Sequence, residues 1–154
     1  MQVKIVTFPE TKVAMIRHVG PPSTEHNTVR KLIEWKIRNR LLDQDKYRSY
    51  GLHHTDPRSV APPEHRVDFC LSFEGTVPEN DLGIIEGYIP ATRCALARDI
   101  GSRADNKAVR HLVEEWLPTS GEALGSYPVI FHYMNVGPNV QEREAITDVY
   151  LPLR

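Results

Sequence analysis

Two aspartates occupy matching positions in two similar segments and could set the charge of a small-molecule site. Asp68 lies in the segment VDFCLSF and Asp148 in the segment TDVYLPL, and both segments have the pattern of a β-strand. Because successive strand residues point to opposite faces of a sheet, Asp68 shares a face with Cys70, and Asp148 shares one with Tyr150. A carboxylate beside a phenol can position water for hydrolysis or orient a bound ligand.

Histidine and cysteine side chains are the other groups in the chain that could do chemistry. Three of the seven histidines, His53, His54 and His65, lie close together in the sequence. Neighbouring strand residues face opposite ways, so His53 and His54 do not readily share one metal ion, and we expect neither a metal site nor a cofactor. Cys70 and Cys94 lie in apolar stretches without a CxxC pair, which predicts buried, reduced thiols.

The composition is typical of a soluble globular domain. The 154 residues are 40% hydrophobic and 25% charged, with a formal net charge of −1, which suits one domain with its own core. A nearly neutral chain gives no general reason to bind nucleic acid or an anionic membrane. No apolar run approaches the ~18 residues that span a bilayer, and no secretory signal is evident. We therefore expect a cytoplasmic protein.

The chain contains an internal repeat. Residues 11–20 (TKVAMIRHVG) match residues 92–101 (TRCALARDIG), and the segments around Asp68 and Asp148 match as well. The offset is 80 or 81 residues each time, which chance rarely produces in separated segments. Because one copy is small for an independent core, we predict a single domain, 1–154, with internal repeats at about 1–78 and 79–154.

Each repeat predicts the same order of elements: two strands, a helix and two further strands. Alternation places strands at residues 2–8, 13–19, 50–55 and 66–73 of the first repeat and at 84–89, 93–100, 129–135 and 146–153 of the second. Hairpins favour antiparallel sheets, with the helix of each repeat covering one face. The predicted fold class is α+β.

Apolar residues at helical spacing define the buried side of each predicted helix. They are Val29, Leu32, Ile33, Ile37 and Leu41 in the first repeat and Val109, Leu112, Val113, Trp116 and Leu117 in the second. This stripe leaves Trp35 partly exposed and puts Trp116 inside, as a core residue or a ligand contact. A capping box at Ser102 and Asp105 predicts the start of the second helix, and Pro118 and Gly121 predict its end.

Four segments of the chain resemble the GyrI-like family, which includes bacterial DNA gyrase inhibitor proteins and effector-binding domains of multidrug-responsive transcription activators. They are ATRCALARDIG, the helix end EWLP, the strand PVIFHY and the stretch that contains DP and RVD. The resemblance covers essentially the whole chain and implies tandem strand–helix–strand–strand units with a central ligand cleft. It also implies that no residues remain for a helix-turn-helix DNA reader.

The resemblance further implies which residues contact the ligand. Family members typically carry a carboxylate at the position of Phe131, two residues before the tyrosine that is Tyr133 here. Without that carboxylate, a pocket of Phe131, Tyr133 and Tyr150 would stack a flat aromatic ligand, and any preference for cations would depend on another acidic residue. His54 stands where family members often carry an aromatic residue. The predicted ligand contacts are His54, Asp68, Cys70, Trp116, Phe131, Tyr133, Asp148 and Tyr150.

Three functional hypotheses follow. The first is a stand-alone protein that binds a hydrophobic or aromatic ligand, cationic or not, and so protects against toxic compounds or modulates DNA gyrase. The second is a hydrolase of reactive genotoxic compounds, with Asp148 and Tyr150 as its acid–base groups. The third is an interaction module that binds gyrase and no ligand. None of them involves direct binding of nucleic acid or of a membrane.

Overall fold

The computed structural model describes residues 1–154 and contains eight strands and two helical segments. The strands are β1 (Lys4–Phe8), β2 (Thr11–Val19), β3 (Ser49–His53), β4 (Arg66–Ser72), β5 (Ile85–Ile89), β6 (Thr92–Ile100), β7 (Val129–Tyr133) and β8 (Ile146–Pro152). The first helical segment is α1 (Glu25–Arg38). The second consists of α2 (Lys107–Arg110), a π-helical turn (His111–Trp116) and α3 (Leu117–Ser120).

The chain forms two compact units whose limits differ from those of the sequence repeats. Residues 11–89 form the first-repeat unit, and residues 1–10 with 90–154 form the second-repeat unit. Strand β1 pairs with β6, and β5 pairs with β2, both antiparallel. The opening strand of each repeat therefore completes the sheet of the other unit.

The first-repeat unit is an antiparallel sheet in the order β3-β4-β2-β5, with α1 packed on one face. Alternation along β4 directs Val67, Phe69 and Leu71 toward the core that contains Leu32 and Trp35 of α1. The prediction that these alternate positions lie under the helix is confirmed. The other face of β4 carries Asp68, Cys70 and Ser72, which are also buried.

The buried side of α1 is rotated from the predicted stripe. Trp35 is only 3% exposed, whereas Ile33 and Ile37 are 48% and 59% exposed, so the prediction for these three residues was wrong. The physical reason is the packing of the largest side chain: the Trp35 indole lies edge-on to the ring of Phe73, with centroids 5.3 Å apart. Leu41 is buried as predicted, although it lies beyond the end of the helix.

The second-repeat unit is an antiparallel sheet in the order β1-β6-β8-β7, and its helical segment also packs on one face. Val149 and Leu151 of β8 lie in one core with Ala108 and Leu112 of the helix. Trp116 packs against this core while half-buried, and Val113 is 38% exposed, which corrects the prediction that Val113 points inward.

The start and middle of the second helical segment differ from the capping-box prediction. The Ser102 hydroxyl donates to the Glu142 carboxylate instead of capping the helix. The first turn is capped from the sheet, where Asp99 Oδ2 accepts the backbone N–H of Ala108 at 3.1 Å. Pro118 does not end the helix; a π-helical turn precedes it, as is common where a backbone donor is missing. Gly121 ends it in the left-handed conformation, as predicted.

The α+β class, the antiparallel sheets and the helices on one face of each sheet are thus confirmed. The third strand of each repeat is shorter than predicted, ending at His53 and at Tyr133. No helix in the structure is both long and apolar enough to cross a bilayer.

Candidate functional site

The strand register places an arginine opposite each of the two predicted aspartates. Arg17 of β2 pairs with Asp68 of β4, and Arg98 of β6 pairs with Asp148 of β8. Because directly opposed residues lie on the same face of an antiparallel pair, each aspartate meets a guanidinium. Both units therefore repeat one arginine–aspartate pair on the face of the sheet that does not carry the helix.

The Asp68 carboxylate is buried and receives three donors. Arg17 Nε lies 3.1 Å from Oδ1, and Arg66 Nη2 and His54 Nε2 lie 3.1 and 2.9 Å from Oδ2. Burial acts to raise the pKa of Asp68, but the hydrogen bonds from Arg66 and Arg17 outweigh it and hold the pKa below its usual range. Asp68 is therefore ionised and fully engaged, and its negative charge is compensated within the unit.

The two adjacent histidines of the first repeat lie in different environments. Burial lowers the pKa of His54, although Asp68 acts in the opposite direction. His54 is therefore neutral near pH 7 and donates its Nε2 proton to Asp68. His53 pairs with Val67, which places it on the α1 side of the sheet, and burial, His65 and His54 lower its pKa to about 4. The structure thus joins predicted contact His54 to predicted contact Asp68.

Cys70 follows Asp68 on the same face and is 1% exposed. Burial raises the pKa of its thiol, with Asp68 adding to the effect. Cys94 is buried as well, and burial raises its pKa to about 11. Both cysteines are free thiols, and such protonated, buried thiols are poor nucleophiles.

The matching pair in the second-repeat unit is closer to solvent. Arg98 Nε and Nη2 donate to the two carboxylate oxygens of Asp148 at 2.7 and 3.1 Å, and the Asp148 side chain is 11% exposed. Tyr150, two residues along the strand, packs edge-on to Phe8 with ring centroids 5.0 Å apart. The predicted contacts Asp148 and Tyr150 are thus side by side, with Asp148 held in a two-pronged ion pair.

The predicted aromatic contacts lie on two different faces of the second-repeat sheet. Phe131 pairs with Val149, and Tyr133 pairs with Thr147, so both lie on the helix side, whereas Tyr150 lies on the opposite side. The expectation that Phe131, Tyr133 and Tyr150 line one surface of this sheet is therefore corrected. Tyr150 follows Val149 directly in β8, so the two side chains point to opposite faces of the sheet. An alignment of the two repeats does not show which residues of β7 share a face with Val149; only the strand register does.

Three predicted aromatic contacts, Trp116, Phe131 and Tyr133, lie in or against one core on the helix side, and together they are called the aromatic cluster. The rings of Phe131 and Tyr133 are stacked, with centroids 6.5 Å apart and planes 23° from parallel. Phe131 is 8% exposed, while Trp116 and Tyr133 are half-buried against the same core. Half-buried aromatic rings beside an apolar core are typical of surfaces that stack planar ligands.

Arg103 controls the charge beside this aromatic cluster. Its guanidinium lies over the Tyr133 ring, 5.1 Å from the centroid. Nε donates to Thr147 Oγ1 at 2.8 Å, and Nη2 donates to the carbonyl oxygens of Asn135 and Ile146, each at 2.9 Å. These acceptors are neutral, so the cation is not compensated by a carboxylate. Burial lowers the pKa of Arg103, which nevertheless remains charged at neutral pH.

The sequence analysis did not identify Arg103, because no motif or residue spacing around it indicates a functional role. It lies in the loop before the second helical segment, where an arginine is an ordinary surface residue. Its hydrogen-bond partners Thr147 and Asn135 are 44 and 32 residues away in the chain. A comparison of the two repeats offers no signal either, since the first repeat has prolines at the start of its helix.

The histidines of the first-repeat unit form hydrogen bonds within the protein. No group of three or more His, Cys, Asp or Glu side chains is arranged to hold a metal ion. His65 instead binds Glu25 and Thr55, and His54 binds Asp68. These histidines serve as hydrogen-bonding groups of the fold.

Sequence comparison connects this chain to known proteins. The family model described as the GyrI-like small molecule binding domain matches residues 1–154. The probable transcriptional regulator YgiV of Escherichia coli strain K12 is 34% identical over 154 residues, which cover 99% of this chain and 96% of YgiV.

Structure comparison finds the same fold at low sequence identity. The C-terminal domain of EcmrR matches with a TM-score of 0.73 and 18% identity, covering 99% of this chain and 97% of that domain. SAV2435, solved bound to tetraphenylphosphonium, matches with a TM-score of 0.59 and 9% identity over 100% of this chain and 94% of SAV2435. In an EcmrR–DNA complex, this chain spans 57% of the EcmrR chain, with a TM-score of 0.76 and 16% identity.

Proposed function

The chain belongs to the GyrI-like small-molecule-binding domain family, which relates it to the effector-binding domains of transcriptional regulators, and from this premise we propose its ligand. The ligand is a flat aromatic molecule, neutral or anionic, that stacks on the aromatic cluster of Trp116, Phe131 and Tyr133. The observation that carries this proposal is the Arg103 guanidinium over Tyr133, whose hydrogen bonds go to neutral oxygens.

Charge is the main reason to expect neutral or anionic ligands. A lipophilic cation gains affinity from a buried anion and loses it beside an uncompensated guanidinium. Asp148 is held by Arg98 on the opposite face of the sheet, and Asp68 is enclosed by Arg17, Arg66 and His54 in the other unit. We therefore assign His54, Asp68, Cys70 and Asp148 to the framework and the aromatic cluster to the ligand.

The role that suits such a protein is cytoplasmic sequestration of a toxic aromatic compound. Its relative SAV2435 was solved with a lipophilic cation, tetraphenylphosphonium. In this chain Phe131 stands at the position where the resemblance places a carboxylate, so the ligand charge is proposed to differ. Modulation of DNA gyrase would be a consequence of the same ligand-bound state.

A ligand series with one ring system and three charges tests the proposal. Naphthoate, naphthol and naphthylmethylammonium present the same rings with negative, neutral and positive charge. At 100 times its dissociation constant, a ligand adds about 2.7 kcal/mol to the free energy of unfolding, which raises the melting temperature by roughly 5–10 °C for a chain of this size. We expect this shift with naphthoate and naphthol but not with the ammonium compound.

A matched pair of variants locates the binding surface. Tyr133→Ala removes one stacked ring and should weaken naphthol binding by at least about tenfold, since aromatic anchors are often hot spots. Tyr88→Ala serves as the control, because Tyr88 is 60% exposed and belongs to the other unit. Preference for the ammonium compound, or naphthol binding unchanged by Tyr133→Ala, would overturn the proposal.

A further inference from the structure

The geometry points to a second ligand site in the second-repeat unit, which lies beside the aromatic cluster and shares Arg103 with it. It is a partly open cavity of about 270 Å³ before the first residue of β8, and we propose that it binds a small organic monocarboxylate, with Arg103 as the anchor. This size is just below that of sites for drug-sized molecules, so the occupant is a small acid. Its walls include Ser102, Arg103, Val136, Val140, Glu142 and Ala145.

The origin of the cavity is visible when the two repeats are compared. Gly20 N donates to the carbonyl of His65 and Gly101 N to the carbonyl of Ala145, each at 2.8 Å, so His65 and Ala145 are equivalent positions. In the first-repeat unit the His65 imidazole occupies this position and is 2% exposed. In the second-repeat unit the side chain is a methyl group, and the cavity lies beside it.

The partners of His65 show how the first-repeat unit satisfies this region. Its Nε2 lies 2.8 Å from a Glu25 carboxylate oxygen, and its Nδ1 lies 3.0 Å from Thr55 Oγ1. The ring thus fills space and links the start of α1 to the segment that follows β3. A ligand in the second-repeat cavity would take the place of an imidazole-sized group that this unit lacks.

Arg103 supplies the charge that selects an anion. The hydrogen bonds of its guanidinium use Nε and Nη2 and go to neutral oxygens, while Nη1 makes none. No acidic side chain pairs with this half-buried cation, and burial lowers its pKa. A carboxylate in the cavity would offset the cost of burying the charge and would accept from Nη1.

The other walls limit the anion to a single charge with an apolar body. Val136, Val140 and Ala145 offer apolar contact. Glu142 also lines the cavity, and its carboxylate accepts from the Ser102 hydroxyl. Repulsion from Glu142 grows with the charge of the ligand, so it disfavours a dianion such as inorganic phosphate more than a monocarboxylate whose single charge lies on Arg103. The structure therefore favours a small aliphatic or aromatic acid.

Benzoate is a suitable probe, with benzamide and benzylammonium as isosteric controls. Methyl signals of Ala145, Val136 and Val140 in a ¹³C-labelled full-length chain report on the cavity directly. We expect saturable shifts of these signals with benzoate, at least about tenfold weaker binding of benzamide, and no cavity shifts with benzylammonium. Absence of saturable shifts with benzoate would refute the proposed site.

Two cavity-filling variants separate this site from the aromatic cluster. Ala145→His introduces the first-repeat residue, and Val140→Trp enlarges a second lining side chain; retained melting transitions show that each variant folds. Both should weaken benzoate binding at least about tenfold while leaving naphthol binding unchanged. Tyr133→Ala should weaken naphthol binding, as proposed for the aromatic cluster. Benzoate binding that survives in both filled variants would overturn the inference, whatever the outcome for naphthol.

Discussion

The two repeats share a backbone framework and one ion pair, but they differ just before the strand that carries the aspartate of that pair. The first-repeat unit encloses Asp68 with three donors and fills the space before β4 with His65. The second-repeat unit pairs Asp148 with Arg98 and has Ala145 beside a cavity. Since the arginine–aspartate pair occurs in both, it belongs to the framework that the duplication preserved.

The helices of the two units differ as well, both in their regularity and in how deeply they bury a tryptophan. Helix α1 runs without interruption from Glu25 to Arg38 and buries its tryptophan, Trp35. The second helical segment contains a π-helical turn before Pro118 and leaves Trp116 half-buried. Local π-helical turns are frequent at functional sites. The first-repeat unit therefore packs its helix more completely, and both proposed ligand sites lie in the second-repeat unit.

Truncation of the two tryptophans gives the largest expected difference between the units in the free energy of unfolding. Trp35→Ala removes a fully buried indole and should lower the free energy of unfolding by about 4 kcal/mol. Trp116→Ala should cost about half as much because that side chain is only half-buried. Urea denaturation of both variants measures the difference. Equal losses would show that the second helix is packed as tightly as the first.

Neutralisation of the two aspartates gives the next contrast. Asp68→Asn leaves Arg17 and Arg66 without a buried counter-charge and should cost about 3 kcal/mol. Asp148→Asn disturbs one pair whose arginine is 53% exposed, and should cost about 1 kcal/mol. Chemical denaturation at neutral pH checks both values. A larger loss for Asp148→Asn would mean that the second-repeat pair, not the first, carries more of the framework.

The dependence of stability on pH should come mainly from the first-repeat unit. His53, with a folded pKa of about 4, takes up a proton in the unfolded chain at about pH 6.5. The unfolded state therefore binds more protons between these values, and stability falls as pH is lowered from about 6.5 to 4. We expect a loss of about 2 kcal/mol from this residue. The lowered pKa of His54 acts in the same direction.

The matched variant for this prediction is His53→Gln, which keeps a polar side chain that does not titrate. Its stability should vary less between pH 6.5 and 4 than that of the wild-type chain. Asp68 acts in a separate window, because its lowered pKa makes stability fall only at pH values below about 4. An unchanged slope in His53→Gln would assign the pH dependence to other groups.

Much of the fold could be predicted because it depends on local periodicity. Alternation in the segments around Asp68 and Asp148 gave their faces correctly, and the repeat offset identified equivalent strands. The strand containing Phe131 and Tyr133 was harder, since PVIFHY has large or apolar residues at consecutive positions. The alternation of apolar and polar residues therefore does not show which side chains of this strand face the helix. Only its pairing with β8 decides which rings lie under the helix.

The sequence by itself determined the α+β class, the duplication, the burial of both cysteines and the alternation of β4 and β8. These features follow from the spacing of residue types along short segments. Only the tertiary structure decided the position of Trp35, the guanidinium of Arg103 over Tyr133 and the cavity beside Ala145. Each of these depends on contacts between residues distant in the chain, which local spacing does not encode.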